Sequence, residues 1–197
     1  MKRCTLVLLG VMGLGLLVPP ALERIPLFNN FGTASANSAA SFPPGTFFTV
    51  TVTNALEHFN LAAPGVRLGA VSISGLAPGD DIVGIDFRPA TGQLYGLGRL
   101  NQLYVINPVT GAASPVGGPF TPALDNALFG FDFNPTVDRI RVVSDTGQNL
   151  RLHPDTGQVA GVDGAINPSS DIEASAYTNN FAGATTTVLY GIDPTTD

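Results

Sequence analysis

Between Gly84 and Gly157 the sequence repeats itself. Gly84 to Gly98 reads GIDFRPATGQLYGLG, and LYVINPVTG follows from Leu103 to Gly111. The frame returns 46 residues later as GFDFNPTVDRIRVV and NLRLHPDTG, with Asp86 and Asp132, Pro89 and Pro135, Pro108 and Pro154, and Gly111 and Gly157 in register. A fixed period in this range marks a repeat architecture, in which one supersecondary unit buries its apolar faces against the next copy of itself.

Within a unit the texture is that of short strands. The better-defined copy divides near Ile82 to Phe87, Gln93 to Gly98, Gln102 to Asn107 and Ala112 to Gly117. Pro89-Ala90-Thr91-Gly92 and Pro108-Val109-Thr110-Gly111 form turns in which proline presets φ and glycine closes. The next copy divides near Leu128 to Phe133, Arg139 to Ser144, Asn149 to His153 and Gln158 to Ala160. An earlier unit opens at Phe47 to Thr53, continues through Asn54 to Asn60, which echoes Asn101 to Asn107, and closes with Val66 to Ser74. A last one opens at Ile172 to Thr178; Leu189-Tyr190-Gly191-Ile192 echoes the second strand Leu94-Tyr95-Gly96-Leu97, and although Leu189 to Thr196 also resembles Leu103 to Thr110 of the third, the second-strand register keeps unit order with only a loop insertion. Four short strands per roughly 40 to 50 residues is the content of a β-propeller blade. The expected fold is all-β, a β-propeller-like array of four-stranded blades, incomplete at its C-terminus because the strands run three, four, four and two. A two-sheet sandwich would also use short strands at this spacing but offers no reason for the echo. Glycine and proline, 23 and 16 of 197 residues, leave no room for a long amphipathic helix.

Ahead of the repeats, Lys2 and Arg3 precede an apolar run from Thr5 to Val18, and Ala34-Ser35-Ala36 offers small residues for cleavage. The run suits a secretory leader better than the roughly 20 residues of a spanning helix. Residues 1–36 are expected to be a signal peptide or N-terminal anchor, Asn37 to Thr46 a flexible lead-in, and 47–197 the repeat domain. Cys4, the only cysteine, would leave with the leader, so no disulfide framework is expected. The remaining chain carries six basic residues, all arginine, against 14 acidic ones. That balance argues against nucleic acid and against an anionic membrane surface as partners.

GIDFRPATGQLYGLG, FGFDFNPTVDRIRVVSDTGQNLRLHPDTG from Phe129 to Gly157, and AYTNNFAGATTTVLYGID from Ala176 to Asp193 together resemble the bacterial domain-of-unknown-function family 4394, over about Phe47 to Asp197. The resemblance implies a propeller-type repeat domain of an exported bacterial protein, one that continues beyond the point where this chain stops. It brings no catalytic residue and no cofactor with it.

No GxSxG, HExxH, P-loop or GxGxxG pattern occurs. Asp86 and Asp132 recur between apolar residues just before a turn, and the expectation for both is a structural, turn-capping role. Asp80, Asp81 and Asp163 are oxygen donors in loops but lack calcium-loop spacing, so no metal site is assigned. Tyr95, Tyr104, Tyr190, Phe87, Phe131 and Phe133 recur on strands and are expected to be buried between units. His58 is expected to be a partly exposed strand residue.

The polar break in the repeat is more specific. Where the preceding copy has Tyr95, Leu103, Val105 and Asn107, this one has Arg141, Asn149, Arg151 and His153. On adjoining strands these four form a candidate ligand-binding set for a carboxylate, sulfate or uronate, unless the arginines are paired to Asp138, Asp145 or Asp155. The functional expectation is an exported, non-enzymatic binding or interaction module for a small molecule, glycan or protein, secreted, periplasmic or on the cell surface. Self-association through unpaired strand edges is expected too. The alternative is a propeller-type hydrolase or lactonase with a divalent ion at a central channel, which would need carboxylates from several units to converge.

Overall fold

The computed structural model describes residues 42–125, 127–164, 166 and 172–194. The expected leader, residues 1–36, lies outside them. Every regular element among the described residues is a strand. β1 (Thr46–Val50), β2 (Ala55–Asn60) and β3 (Ala63–Ser72) form a first antiparallel sheet. β4 (Ile82–Phe87), β5 (Leu94–Gly98), β6 (Leu103–Ile106) and β7 (Ala113–Val116) form the second. β8 (Phe129–Asn134), β9 (Arg139–Ser144), β10 (Asn149–Leu152) and β11 (Val159–Val162) form the third, and β12 (Ala174–Tyr177) pairs with β13 (Leu189–Ile192) in the fourth. Each strand pairs with its neighbour in sequence, as expected of hairpin-linked repeat units.

The sheets stack in chain order. Phe48, Val50 and Leu56 of the first sheet pack with Ile82, Ile85, Leu94, Tyr104 and Ile106 of the second. The opposite face of the second, with Val83, Tyr95, Leu97 and Leu103, packs with Phe131, Phe133, Ile140 and Val142 of the third. A sheet covered on both sides has no solvent face, which is why Leu94-Tyr95-Gly96-Leu97-Gly98 shows no polar alternation and is buried throughout. A β-bulge between Ile82 and Gly84 turns Ile82 and Ile85 to one face and Val83 to the other. Four successive sheets, rather than two facing ones, are what the 46-residue echo encodes.

The first strands of successive units lie side by side, β4 against β8 and β8 against β12. Glycine makes that approach possible. A Cβ on Gly84 would lie 2.6 Å from the Phe131 Cβ, and one on Gly130 would lie 2.4 Å from the Ser175 Oγ. At the outer edge a parallel bridge, Ser74 to Ala112, joins the first and second units.

Two expectations need correction. The lead-in is not loose to its end: Phe42 packs edge-on against Phe48, with ring centroids 4.9 Å apart, and Thr46 opens β1. Tyr190 is not buried. It occupies the place of Tyr95, yet it is 63% exposed where Tyr95 is 3% exposed. Tyr95 is covered by Phe133 of the following unit, at 5.2 Å between ring centroids, whereas β13 pairs only with β12 among the described residues. Tyr104, Phe131 and Phe133 are buried as expected, Phe87 is half-buried, and half-buried His58 packs among Phe42 and Phe48.

Candidate functional site

The polar break in the third unit folds into a cluster. Arg141 of β9 and Arg151 of β10 are cross-strand partners, so their side chains leave the same face of the sheet. Both reach Asp163, just past β11. Arg141 Nη1 donates to Asp163 Oδ2 at 2.6 Å, Arg151 Nη2 donates to Oδ1 at 2.9 Å, and Arg151 Nε lies 2.8 Å from Oδ2. Arg141 also donates to Asn149 Oδ1 at 2.6 Å and to the Tyr177 hydroxyl at 3.3 Å, while the Asn149 amide donates to the Gly164 carbonyl at 2.8 Å. Gly161 stands opposite Arg151 on β11, and a Cβ there would meet Arg151 Nη2 at 2.6 Å. The missing side chain lets the Arg151 guanidinium lie flat across the backbone.

The electrostatics follow from this geometry. The two guanidinium groups hold the Asp163 carboxylate below the usual carboxylate range, Arg141 by the larger effect. Two positive charges face one negative charge, so the cluster keeps one unit of positive charge. Arg141 is mostly buried, whereas the Arg151 side chain is 43% exposed and marks where a ligand would arrive.

Three of the four residues singled out by sequence come together here, and the fourth does not. His153 lies beyond the end of β10, where its Nδ1 accepts the Asp155 N–H at 3.2 Å as part of the 153–157 turn. The counter-charge is also different from those expected. Asp163, considered only as a loop oxygen donor, pairs with both arginines, while Asp138 and Asp155 are taken by Arg88 of the preceding unit. Arg88 is buried, and its Nη1 donates to Asp155 Oδ1 at 2.6 Å and to the Tyr95 hydroxyl at 3.4 Å. Sequence reasoning passed over it, although its counterpart in the next copy, Asn134, is a departure from the repeat.

Asp86 and Asp132 are not turn caps. Both sit in strands and are buried, 1% and 3% exposed. Asp86 accepts the N–H of Phe87 and, across the seam, that of Phe133, each at 2.8 Å. Asp132 accepts the Tyr177 N–H of the next first strand. Burial pushes both carboxyl groups, which sit at equivalent places on the adjoining strands β4 and β8, above the usual carboxylate range. The turn that Asp86 was expected to cap closes without it, on the Gly92 N–H to the Arg88 carbonyl at 2.8 Å. Asp80 is likewise structural, accepting the Leu100 N–H at 2.9 Å and the Tyr104 hydroxyl at 2.8 Å.

Among the described residues, the convergence that a divalent-ion centre requires is present only as a buried pair whose oxygens already accept backbone hydrogen bonds. Among the described residues, no three His, Cys, Asp or Glu side chains gather to hold a metal ion. A cleft of about 120 Å³ between Thr51, Asp81 and Arg99 is well below the roughly 300–1,000 Å³ of small-molecule pockets. The arginine cluster on the third sheet is the candidate binding surface.

Known proteins place the chain by fold and by sequence. It is similar to the crystal structure of Myxococcus xanthus glutaminyl cyclase, with 18% identity and a TM-score of 0.52, covering 73% of this chain and 62% of that one. That likeness concerns the fold alone, and the chain spans less than two thirds of the cyclase's length. A chain of the Mitotic Checkpoint Complex is also similar, with 15% identity and a TM-score of 0.44 over 70% of this chain and 40% of that one. No curated protein matches the sequence. The family model described as Domain of unknown function (DUF4394) matches residues 55–197, and the chain belongs to that family.

Proposed function

We propose that this is a non-enzymatic binding module on a propeller-like scaffold, exported by the leader at residues 1–36, and that the third unit carries its site for an anionic ligand. The observation that supports it best is the convergence of Arg141 and Arg151 on the single carboxylate of Asp163, with Asn149 and the Tyr177 hydroxyl alongside. Structural ion pairs usually match charge for charge, whereas this one leaves a surplus guanidinium that is partly open to water. A planar carboxylate or a sulfate suits such a fork, because each offers oxygens in the plane of two N–H donors. The ligand class that fits is a uronic acid or sulfated sugar.

The propeller reading draws on the side-by-side first strands β4, β8 and β12 and on the fold likeness already given. The experiment is thermal unfolding of the parent and of Arg151→Ala with glucuronate, sulfate or phosphate. The expected outcome is a higher midpoint for the parent with at least one of these anions and no such shift for Arg151→Ala. Equal behaviour of the two proteins with every anion would overturn the assignment.

A further inference from the structure

The buried carboxyl pair has no part in the binding surface and calls for its own explanation. Asp86 and Asp132 occupy equivalent places on β4 and β8, and in the fourth unit Ala176, opposite Tyr190 as Asp132 is opposite Arg141, ends the series. The pair ties three units together: Asp86 to the Phe133 N–H of the third, and Asp132 to the Tyr177 N–H of the fourth.

The charges around it are already committed. Across from Asp86 on β5 stands Tyr95, whose hydroxyl accepts from Arg88, and Arg88, two residues along from Asp86, is held by Asp138 and Asp155. Across from Asp132 on β9 stands Arg141, held by Asp163. On β12 the pair meets the Tyr177 backbone, and from the loop after it the neutral Asn180. Two carboxylates buried one strand apart in the same seam, Asp86 already on the N–H of the residue next to Asp132 and neither bonded to a cation among the described residues, resist carrying charge together, because like charges are poorly screened there.

We propose that Asp86 and Asp132 share one proton and act as a pH-set latch on the seams joining the second, third and fourth units. With the proton in place, one carboxyl donates to the other and β4, β8 and β12 are pinned together. When a base in the surroundings removes it, two adjacent negative charges remain in the seam and the units loosen. The sign follows from linkage: both groups hold protons more tightly folded than unfolded, so their contribution is complete below the ordinary carboxylate range and declines as pH rises.

The test is thermal unfolding of the full chain against pH for the parent and for Asp132→Asn, in which the amide is a permanent donor without charge. The parent is expected to lose several degrees between mildly acidic and mildly alkaline buffer. Asp132→Asn is expected to keep its midpoint over that range. Parallel profiles would overturn the latch. If Asp132→Asn does not fold, a carboxyl-carbon NMR titration of the parent decides: one of the two aspartates still protonated at neutral pH supports the latch, and both ionised overturns it.

Discussion

Arg88 shows how much one side chain can hold between units. It leaves the turn after β4, is buried, and spans to Asp138 and Asp155 in two different turns of the third unit. Those hydrogen bonds raise its affinity for its proton, the bond to Asp138 most, and the same contacts keep Asp155 below the usual carboxylate range. Both aspartates are partly open to water and would rehydrate if Arg88 were lost, so Arg88→Met should cost about 2 kcal/mol, less than breaking a wholly buried pair. Urea unfolding reads this directly. The acid limb of stability belongs to the same residues. Asp155 and Asp163 are both depressed by their arginine partners, so their contributions are present above the ordinary carboxylate range and fade as pH falls through it. Asp163→Asn should therefore flatten the acid limb of a midpoint-against-pH curve while leaving the alkaline limb, which the Asp86 and Asp132 pair controls, as it is in the parent. Little of this was legible in the sequence. Asp86 sits before a turn and reads as a cap by local rules, but the amide it bonds beyond Phe87 belongs to Phe133, 47 residues away, and only the stacking of units brings it near.

At the scale of strands and hairpins the sequence was far more readable, because the features that set strand order are local. Pro89 to Gly92 and Pro108 to Gly111 carry their own φ preferences. Asn54, Asn101 and Gly147 all adopt positive φ, 56°, 66° and 86°, in the hairpins β1–β2, β5–β6 and β9–β10. The echo of Leu94 to Leu97 at Leu189 to Ile192 identified β13 as a second strand, and it pairs with β12 in that register, Leu189 opposite Tyr177. Not legible was which glycines were spacers. Gly84 lies inside β4 with no turn to justify it, and its role appears only when β8 arrives against it. A methyl group at Gly84 would press on the Cβ of Phe131, an atom fixed to its backbone, so the strands themselves would have to part. Gly84→Ala should cost about 1–3 kcal/mol by overpacking. The loss would show in urea unfolding, with more rapid exchange of the Phe133 amide.

Over the whole molecule, the units share a scaffold and differ in what their faces do. The second sheet is apolar on both sides, whereas the third presents arginines where the second presents Tyr95 and Val105. This contrast was visible in the sequence as a broken echo, and so were Arg141, Asn149 and Arg151. Asp163 and Gly161 were not, since a counter-ion past the end of β11 and a bare backbone beneath a guanidinium have meaning only once β10 and β11 pair. Burial of Tyr190 could not be read for a related reason: a residue's exposure in a stacked array belongs to its neighbour as much as to itself. The central claim is that the third unit is specialised to receive an anion. Its most direct measurement is a titration of the folded protein with glucuronate, followed through the arginine side-chain Nε–H signals by NMR. Saturable shifts confined to Arg141 and Arg151, and absent from Arg88, are the predicted result. Uniform drift of all arginine signals, or movement of Arg88 alone, would contradict it.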